Sequence, residues 1–299
     1  MIENKMLTVF TPAYNRAHTI WRTYESLCRQ TSKDFIWLII DDGSSDNTKE
    51  LVDQWIEENK IPIRYIYQEN QGMHGAHNTA YQNITTKYNI CIDSDDYMPR
   101  NAIEEILNEI KPIDDNPTCA GIIGLDAIED GSIIGTKIPE FLNQVKLNEL
   151  YQLYKVKGDK KLVYKTDIVN SYPEYPVFKG EKFVPLDYKY LLIDQDYYLK
   201  PVNKVFCIVE YLADGSTKNI FRQYKNNPKG FAFSRLSRIK YGLTFIERFK
   251  NATHLVSSVI FIKDISYLAK VSNMKLIIAS FPFGILLNLY IRLKLKKRK

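Results

Sequence analysis

The chain has 299 residues, of which 45% are hydrophobic and 25% charged, an ordinary composition for a folded globular protein that argues against disorder. Its formal net charge of +6 is concentrated at one end, because six of the last eight residues, RLKLKKRK, are Arg or Lys and the remaining 35 basic residues equal the 35 acidic ones. A nucleic-acid-binding domain would spread its basic excess over a face, so we expect no nucleic-acid partner and an anionic partner at the C-terminus only.

The four cysteines lie far apart in the sequence, at Cys28, Cys91, Cys119 and Cys207. Two of them fall in apolar, strand-like runs, which predicts reduced structural thiols and a reducing cytoplasm, with neither a disulfide framework nor a zinc site. The segment MIENKMLTVFTP has no basic stretch followed by a long apolar one, so it predicts no secretory signal.

Short apolar runs predict five strands in the first 125 residues, at 6–11, 35–40, 63–67, 88–92 and 120–125. Between them, apolar residues recur with helical spacing in two segments, 51–56 and 103–110. Strands that are apolar throughout and alternate with helices are typical of a mainly parallel sheet covered on both faces. The sequence therefore predicts an α/β, Rossmann-like fold.

From about residue 126 the pattern loosens into turns and short strands. Two stretches, the Pro- and Tyr-rich 170–185 and the segment 211–219, are predicted to be loops folded over a site. Helical spacing returns at 244–262.

The apolar segment LIIASFPFGILLNLYI, residues 276–291, is shorter than the roughly 20 apolar residues that span a bilayer. An interfacial helix followed by the polybasic tail 292–299 fits better, because each Lys or Arg near an anionic leaflet contributes about 1 kcal/mol. The alternative is a packed terminal helix with a solvated tail.

Polar residues follow each of the first four predicted strands, as TPAYNR, DDGSSDN, QENQGMHGAHN and DSDD. Ligands of parallel sheets bind outside the carboxyl ends of the strands, so we expect a binding site at this edge.

Two of these motifs carry carboxylates. Asp93 and Asp95 point to the same side of an extended chain, as ligands of Mg²⁺ or Mn²⁺ do when a substrate phosphate completes the coordination. Taken alone, DSDD is more often a turn or cap, and DDGSSD is a turn in which Ser44, Ser45 or Asp46 caps a helix. The order of all four motifs favours a site.

At these spacings, FTPAYNRAHTI, IIDDGSSDNT, ENQGMHGAHNTA and CIDSDD resemble the family 2 glycosyltransferases with the GT-A fold, over about residues 6–125. Farther on, GEKFVP, VEYLADGSTKN and NPKGF are similar to the branch that builds bacterial capsular or exopolysaccharides. The resemblance implies a GT-A domain at 1–215, with a nucleotide-binding half at 1–100 and an acceptor half at 101–215. A C-terminal helical, membrane-associating segment would follow at 216–299.

The resemblance also assigns a nucleotide-sugar site. Thr11, Pro12, Tyr14 and Asp41 would hold the uracil and ribose, and Asp93 and Asp95 the metal. His77 stands where the family commonly has Arg or Lys, and a merely packed histidine is the alternative reading. The whole predicted nucleotide-sugar set is Thr11, Pro12, Tyr14, Asn15, Asp41, Asn70, Gly72, His77, Asp93, Ser94, Asp96 and Arg222, with a sugar hydroxyl as the candidate ligand of Asp96.

An inverting transferase also needs a base for the acceptor hydroxyl. The family takes it from an acidic residue 85–95 positions beyond the D-x-D motif, where this chain has Glu181 and Asp187. Glu181 is favoured, although Lys182 stands where a paired Asp often lies and an exposed Glu–Lys pair is the alternative. Of the basic residues Arg222, Lys225, Lys229 and Arg235, one or two would close over the diphosphate; a solvated loop or a lipid contact is the alternative.

Together these features predict an inverting, metal-dependent glycosyltransferase at the cytoplasmic face of a bacterial membrane. It would move a sugar from a UDP-sugar to a hydroxyl of a lipid-linked surface glycan. Two alternatives stay open. One is a nucleotidyltransferase, which would be expected to carry a Gly-rich loop for a triphosphate after the first strand, whereas TPAYNRAHT has no glycine. The other is a catalytically inactive membrane-surface binding module.

Overall fold

The computed structural model describes residues 5–210 and 219–296. These residues form two compact units, the first from 5–174 with 192–210 and the second from 175–191 with 219–296. The second unit thus takes in part of the predicted loop 170–185. Nearly all of the predicted loop 211–219 and the last three residues of the basic tail lie outside the described residues.

Within residues 5–210 and 219–296, seven strands form one sheet in the order β3-β2-β1-β4-β6-β5-β7. Only β6 runs antiparallel to its neighbours in this sheet. The five predicted strands are confirmed as β1 to β5, because short apolar runs that include β-branched or aromatic side chains favour strands. The strands are β1 (Leu7–Ala13), β2 (Phe35–Asp41), β3 (Ile63–Tyr67), β4 (Tyr88–Cys91), β5 (Cys119–Ala127), β6 (Lys160–Lys165) and β7 (Tyr198–Ile208).

The predicted helices are confirmed as α2, α4 and α10. The N-cap of α2 is Asn47, but it is the Asp46 carboxylate that accepts the first free N–H of this helix, from Thr48 at 3.1 Å. The helices are α1 (Ile20–Cys28), α2 (Thr48–Glu58), α3 (Met73–Asn83), α4 (Ala102–Ile110), α5 (Leu147–Gln152), α6 (Thr166–Ser171), α7 (Asp187–Asp196), α8 (Ile220–Asn226), α9 (Pro228–Tyr241), α10 (Phe245–Ile262), α11 (Ser266–Ala269) and α12 (Met274–Lys296).

Helices cover both faces of the sheet in the first unit, as the apolar strands predicted. On one face Trp37 of β2 stacks with Trp55 of α2 at 5.8 Å between ring centroids, and Tyr24 of α1 stacks on Trp55 at 4.3 Å. On the other face Phe10 of β1 packs edge-on against Tyr81 of α3 at 5.4 Å. All four cysteines are free thiols, which confirms the prediction of no disulfides.

The second unit is built around α9, α10 and α12, whose apolar side chains form a separate small core. The helix α12 turns its small and polar residues inward. Ser280, Gly284 and Asn288, spaced four apart, are buried, and the Asn288 amide donates to the Ser257 carbonyl of α10 at 3.0 Å. Leu276, Ile277 and Ile291 are buried as well. Other large apolar side chains of α12 are exposed, namely Ile278, Phe281, Phe283, Ile285, Leu286, Leu289, Tyr290 and Leu293.

By length and composition α12 is the one helix in the described residues that could cross a membrane, and a third of its apolar window is buried.

Candidate active site

The carboxyl ends of β1, β2 and β4 lie at one edge of the sheet, because the three strands are parallel neighbours. Ala13 pairs with Asp41 and Phe10 with Cys91, so the segments that follow these strands leave the sheet together. The predicted polar motifs are therefore brought to the same edge, as expected.

The turn after β1 is fastened to the turn after β2. The Asn15 N–H donates to Ser44 Oγ at 2.8 Å, and Asn15 Oδ1 accepts the Ser45 N–H at 2.8 Å. Asn15 has a left-handed backbone, with φ of 53°, which asparagine tolerates better than most residues. The neighbouring Tyr14 side chain is 50% exposed, so this turn presents an aromatic ring on a rigid base.

Thr11 and Pro12 lie within β1 and are buried. The Thr11 hydroxyl accepts the Trp37 indole N–H at 3.0 Å, so the structure gives this side chain an internal partner.

Asp41 is held at the end of β2 by two hydrogen bonds. One carboxylate oxygen accepts the Ser44 N–H at 2.7 Å, and the other accepts the Tyr65 hydroxyl at 2.6 Å. Burial and the Asp41 charge raise the pKa of Tyr65, which therefore stays a donor. Asp41 is 1% exposed, and its predicted contact with the nucleoside stays a prediction.

Asp42, a residue that the sequence analysis did not single out, organises the loop after β3. Its carboxylate accepts the Gln71 N–H and the Gly72 N–H, both at 2.7 Å, and it is 4% exposed. The predicted residues Asn70 and Gly72 thus belong to a loop tied to the end of β2.

Glycine is required where these two loops meet. Gly43 has φ of +85°, and a Cβ on it would lie 2.9 Å from the Asn70 nitrogen. The close approach of the two loops therefore depends on the missing side chain.

His77 is packed inside the first unit with 1% of its surface exposed. Its ring lies edge-on to Phe10 at 5.1 Å, and its Nε2 is 3.7 Å from Cys91 Sγ. The structure thus places the ring in the protein interior next to β4, as the alternative reading of a packed histidine expected.

The DSDD motif forms a tight turn directly after β4. The Asp96 N–H donates to the Asp93 carbonyl at 3.0 Å and closes the turn. Asp93 and Asp95 are half-buried, whereas Ser94 and Asp96 are buried. The two carboxylates predicted as metal ligands are therefore the ones that reach the surface.

The chemistry of this pair fits a hard divalent cation. Mg²⁺ and related ions are usually held by one or two carboxylates together with substrate phosphates and water. In the described ranges no three His, Cys, Asp or Glu side chains are grouped to hold a metal by themselves. Asp93 and Asp95 would thus supply the protein ligands, and a diphosphate the remaining oxygens.

Asp96 faces β7. One carboxylate oxygen accepts the Glu210 N–H at 3.2 Å, and the other lies 3.6 Å from the Cys207 thiol. Burial raises the pKa of Asp96 to about 8, and the charges of Asp93 and Asp95 add to this shift while Lys161 opposes it. Asp96 thus anchors the acidic turn from within, and its predicted contact with a sugar hydroxyl stays a prediction.

A buried cation, Lys161, accompanies the acidic turn. Its ammonium lies 4.0 Å from a carboxylate oxygen of Asp126, and the side chains are 13% and 3% exposed. Burial opposes the charged ammonium, yet Cys207 and the carboxylates of Asp126, Asp93 and Asp96 raise the pKa of Lys161 well above its ordinary value.

Three residues near this edge were not predicted, and they differ in whether the sequence alone could have revealed them. Asp42 stands beside the predicted Asp41, and Asp126 directly follows the fifth apolar run, so both were visible as acids at strand ends. Lys161 left no local signal, because only the antiparallel pairing of β6 brings it to this edge.

The predicted base Glu181 lies in the second unit and is 8% exposed. Its two carboxylate oxygens accept the N–H groups of Lys229 and Gly230, at 3.0 and 2.9 Å, in the first turn of α9. Carboxylates are favourable at this position because the first N–H groups of a helix lack internal partners. Glu181 therefore holds the start of α9, and its role as base stays a prediction.

Asp187, the second predicted base, begins α7 and is also engaged. It accepts the Ser234 hydroxyl at 3.1 Å and forms an ion pair with Arg238. Arg238 also contacts Glu247 at 3.3 Å, so Asp187 belongs to an ionic network of the second unit.

The predicted basic residues are divided between exposed and packed positions. Arg222 and Lys225 are exposed on α8. Arg235 instead donates to the Asn251 amide oxygen at 2.9 Å and lies over the Phe231 ring. Lys229 is half-buried in the first turn of α9, so Arg222 and Lys225 are the two exposed members of the four predicted basic residues.

Comparison with known proteins identifies the family. Residues 8–158, just over half of the chain, match the model of glycosyl transferase family 2. The chain therefore belongs to this family, which confirms the resemblance carried by the four motifs.

Individual relatives extend this result. A chondroitin synthase of Pasteurella multocida is 33% identical over 138 residues, 46% of this chain and 14% of that protein. The matched part spans only 14–17% of the length of this and similar curated relatives.

Solved structures share the fold. S. aureus TarS in complex with UDP-GlcNAc has a TM-score of 0.56 at 14% identity, covering 98% of this chain and 92% of that one. The Pyrobaculum calidifontis mannosyltransferase PcManGT, solved with GDP-Man and Mn²⁺, has a TM-score of 0.57 at 16% identity, covering 95% and 87%. The GT-A-like fold class predicted from the sequence is confirmed.

Proposed function

We propose that this glycosyltransferase moves a sugar from a UDP-sugar to a hydroxyl of a bacterial surface glycan, with a divalent metal and inversion at the sugar carbon. The observation that carries the proposal is the edge of the sheet at which Asp93 and Asp95 lie beside the fastened turns after β1 and β2. Two half-buried carboxylates and a rigid aromatic turn are suited to a nucleotide diphosphate and its cation.

Donor and acceptor class follow from the relatives by analogy. TarS is named with UDP-GlcNAc and the Pasteurella relative as a chondroitin synthase, which supports a UDP-sugar and a polysaccharide acceptor. A relative in Staphylococcus epidermidis is a teichoic acid poly(glycerol phosphate) polymerase, which likewise supports a cell-surface product. A lipid-linked form of the acceptor agrees with the membrane attachment proposed for α12.

The reaction breaks the bond between the sugar and the diphosphate, so negative charge develops on the departing UDP. A bound Mg²⁺ or Mn²⁺ would stabilise that charge as a Lewis acid. Asp93 and Asp95 would hold the cation, while Tyr14 and Asp41 would orient the nucleoside. The acceptor oxygen would form the new bond to the sugar carbon as the bond to UDP breaks, and its proton would pass to Glu181 or Asp187, the carboxylates predicted as the base.

Membrane attachment is proposed for α12. Its charge-free segment from Leu276 to Ile291 is about 24 Å long at 1.5 Å per residue, short of the roughly 30 Å hydrocarbon core. Its inward face is occupied by α10 and its outward face is apolar, so it is suited to lie at the bilayer surface. Lys275 and Arg292 flank the segment and would face anionic headgroups.

The test is release of UDP from a panel of UDP- and GDP-sugars, with and without Mn²⁺, by wild type and Asp95→Ala. Loss of the metal-held diphosphate should lower turnover at least about a hundredfold, since a Lewis acid contributes several kcal/mol. Glu57→Ala, an exposed acid on α2, is the matched control and should turn over as wild type does. Normal activity of Asp95→Ala, or release of pyrophosphate in place of UDP, contradicts the proposal.

A further inference from the structure

The antiparallel strand β6 brings a lysine to the edge where the neighbouring strands end. β6 begins at this edge because it runs opposite to β4 and β5, and its second residue, Lys161, pairs with Gly124. Val163 of β6 pairs with Ile90 of β4, so Lys161, two residues earlier in β6, lies next to the point where the chain leaves β4 for the acidic turn. The Lys161 side chain is 13% exposed.

The carboxylate closest to this ammonium is poorly satisfied by other groups. Asp126 is 3% exposed, and its Oδ1 accepts no hydrogen bond among the described residues. Lys161, at 4.0 Å, is its ion-pair partner.

The preceding lysine cannot take this role. The Lys160 ammonium donates to four backbone carbonyls at 2.9–3.3 Å, those of Ile134, Lys157, Gly158 and Asp159. The N–H groups of Lys160 are thus taken up by carbonyls of a turn. The carboxylates of Asp126, Asp93 and Asp96 are instead the ones that raise the pKa of Lys161.

We propose that Lys161 is a built-in counter-cation of the acidic turn and acts as a positioning residue. Its charge sets how strongly Asp93 and Asp95 attract a divalent metal. It also sets how tightly the site binds a diphosphate when no metal is present. The inference rests on the proposed metal and diphosphate role of Asp93 and Asp95. An internal positive charge offsets part of the repulsion among the carboxylates, lowers their attraction for Mn²⁺ and favours the anionic nucleotide.

The sign of each effect follows from Coulomb's law. Lys161→Met removes a positive charge, so it should bind Mn²⁺ alone about tenfold more tightly and metal-free UDP about tenfold more weakly, the order expected for unit charges at an effective dielectric constant near 20 with some screening. Asp126→Asn removes a negative charge from the same cluster and should shift both affinities in the opposite directions. Lys161→Arg keeps the charge and should stay within about twofold of wild type.

The experiment measures Mn²⁺ binding by electron paramagnetic resonance of the free ion and UDP binding in EDTA by calorimetry, on full-length proteins whose melting curves establish folding. Opposite shifts in Lys161→Met and Asp126→Asn support the inference, because loss of structure alone would weaken both ligands in both variants. Unchanged Mn²⁺ affinity in Lys161→Met, or weakening in both variants, overturns it. If Lys161→Met does not fold, Lys161→Gln takes its place with the same expected signs.

The two proposals fail in different ways. The Mn²⁺ measurement needs no nucleotide, so opposite Mn²⁺ shifts without UDP binding to any variant would support the counter-cation and contradict the UDP-sugar donor. If UDP binds but the Mn²⁺ affinity is the same with and without Lys161, the result would support the UDP-sugar donor and contradict the counter-cation.

Discussion

Asp42 is the residue whose loss should damage the nucleotide-binding edge without touching the metal ligands. Its carboxylate accepts the Gln68 side-chain amide, the Gln71 N–H and the Gly72 N–H, each at 2.7 Å. Asp42→Ala would leave these three donors without their acceptor at a position that is 4% exposed. The loop between β3 and α3 should then separate from the end of β2.

The cost can be worked from these contacts. A hydrogen bond to a charged group contributes about 1.5–3 kcal/mol, but the loop can open to water and recover part of that energy, so we expect a total loss of about 3 kcal/mol. For a folding unit of about 200 residues, each kcal/mol lowers the melting temperature by about 2–4 °C. Asp42→Ala should therefore melt about 6–12 °C below wild type.

The assay is thermal unfolding followed by circular dichroism, with a UDP titration on the same proteins. Asp42→Asn retains one acceptor oxygen and should lose about half as much stability. Asp53→Ala on α2, which removes a half-exposed ion pair with Lys49, is the matched control and should cost under about 1 kcal/mol. An Asp42→Ala protein that melts within about 2 °C of wild type and binds UDP normally would refute the reasoning.

Two further predictions concern the second unit. Glu181→Gln keeps an oxygen that can accept an N–H group in the first turn of α9, so the variant should fold with a small loss of melting temperature. If Glu181 is the base, the kcat of the variant should fall at least about a hundredfold. Full kcat in the variant would show that Glu181 takes no part in the reaction. The double variant Leu286→Gln, Leu289→Gln changes two exposed side chains of α12. Burial of each leucine in lipid contributes about 1.5–3 kcal/mol, so the affinity for anionic vesicles, measured by cosedimentation, should fall more than tenfold. The melting temperature of the variant should stay unchanged. Leu243→Gln, exposed outside α12, is the control for the vesicle measurement, and equal sedimentation of all variants would place the contact elsewhere.

Local features of the sequence were enough to predict most of the strands of the first unit. The first four predicted strands are rich in β-branched and aromatic residues, and such runs need little help from distant parts of the chain to be recognised. The rule for parallel sheets then placed the polar motifs at one edge, since neighbouring parallel strands end on the same side of the sheet.

The environment of individual carboxylates did not follow from residue type. Asp93, Asp95 and Asp96 read alike in the sequence, yet the turn exposes two of them and buries the third against Cys207. Glu181, predicted from its loop setting, instead accepts two N–H groups of α9, a contact between residues nearly 50 positions apart.

The family and the parallel sheet could be read from the amino-acid sequence, because they depend on motif order and on short-range strand and helix patterns. The exposure of each carboxylate, the position of Lys161 beside Asp126 and the exposed apolar side chains of α12 came only with the folded structure. Those features depend on contacts between distant segments, where burial and charge are set by what packs alongside and not by the residue itself.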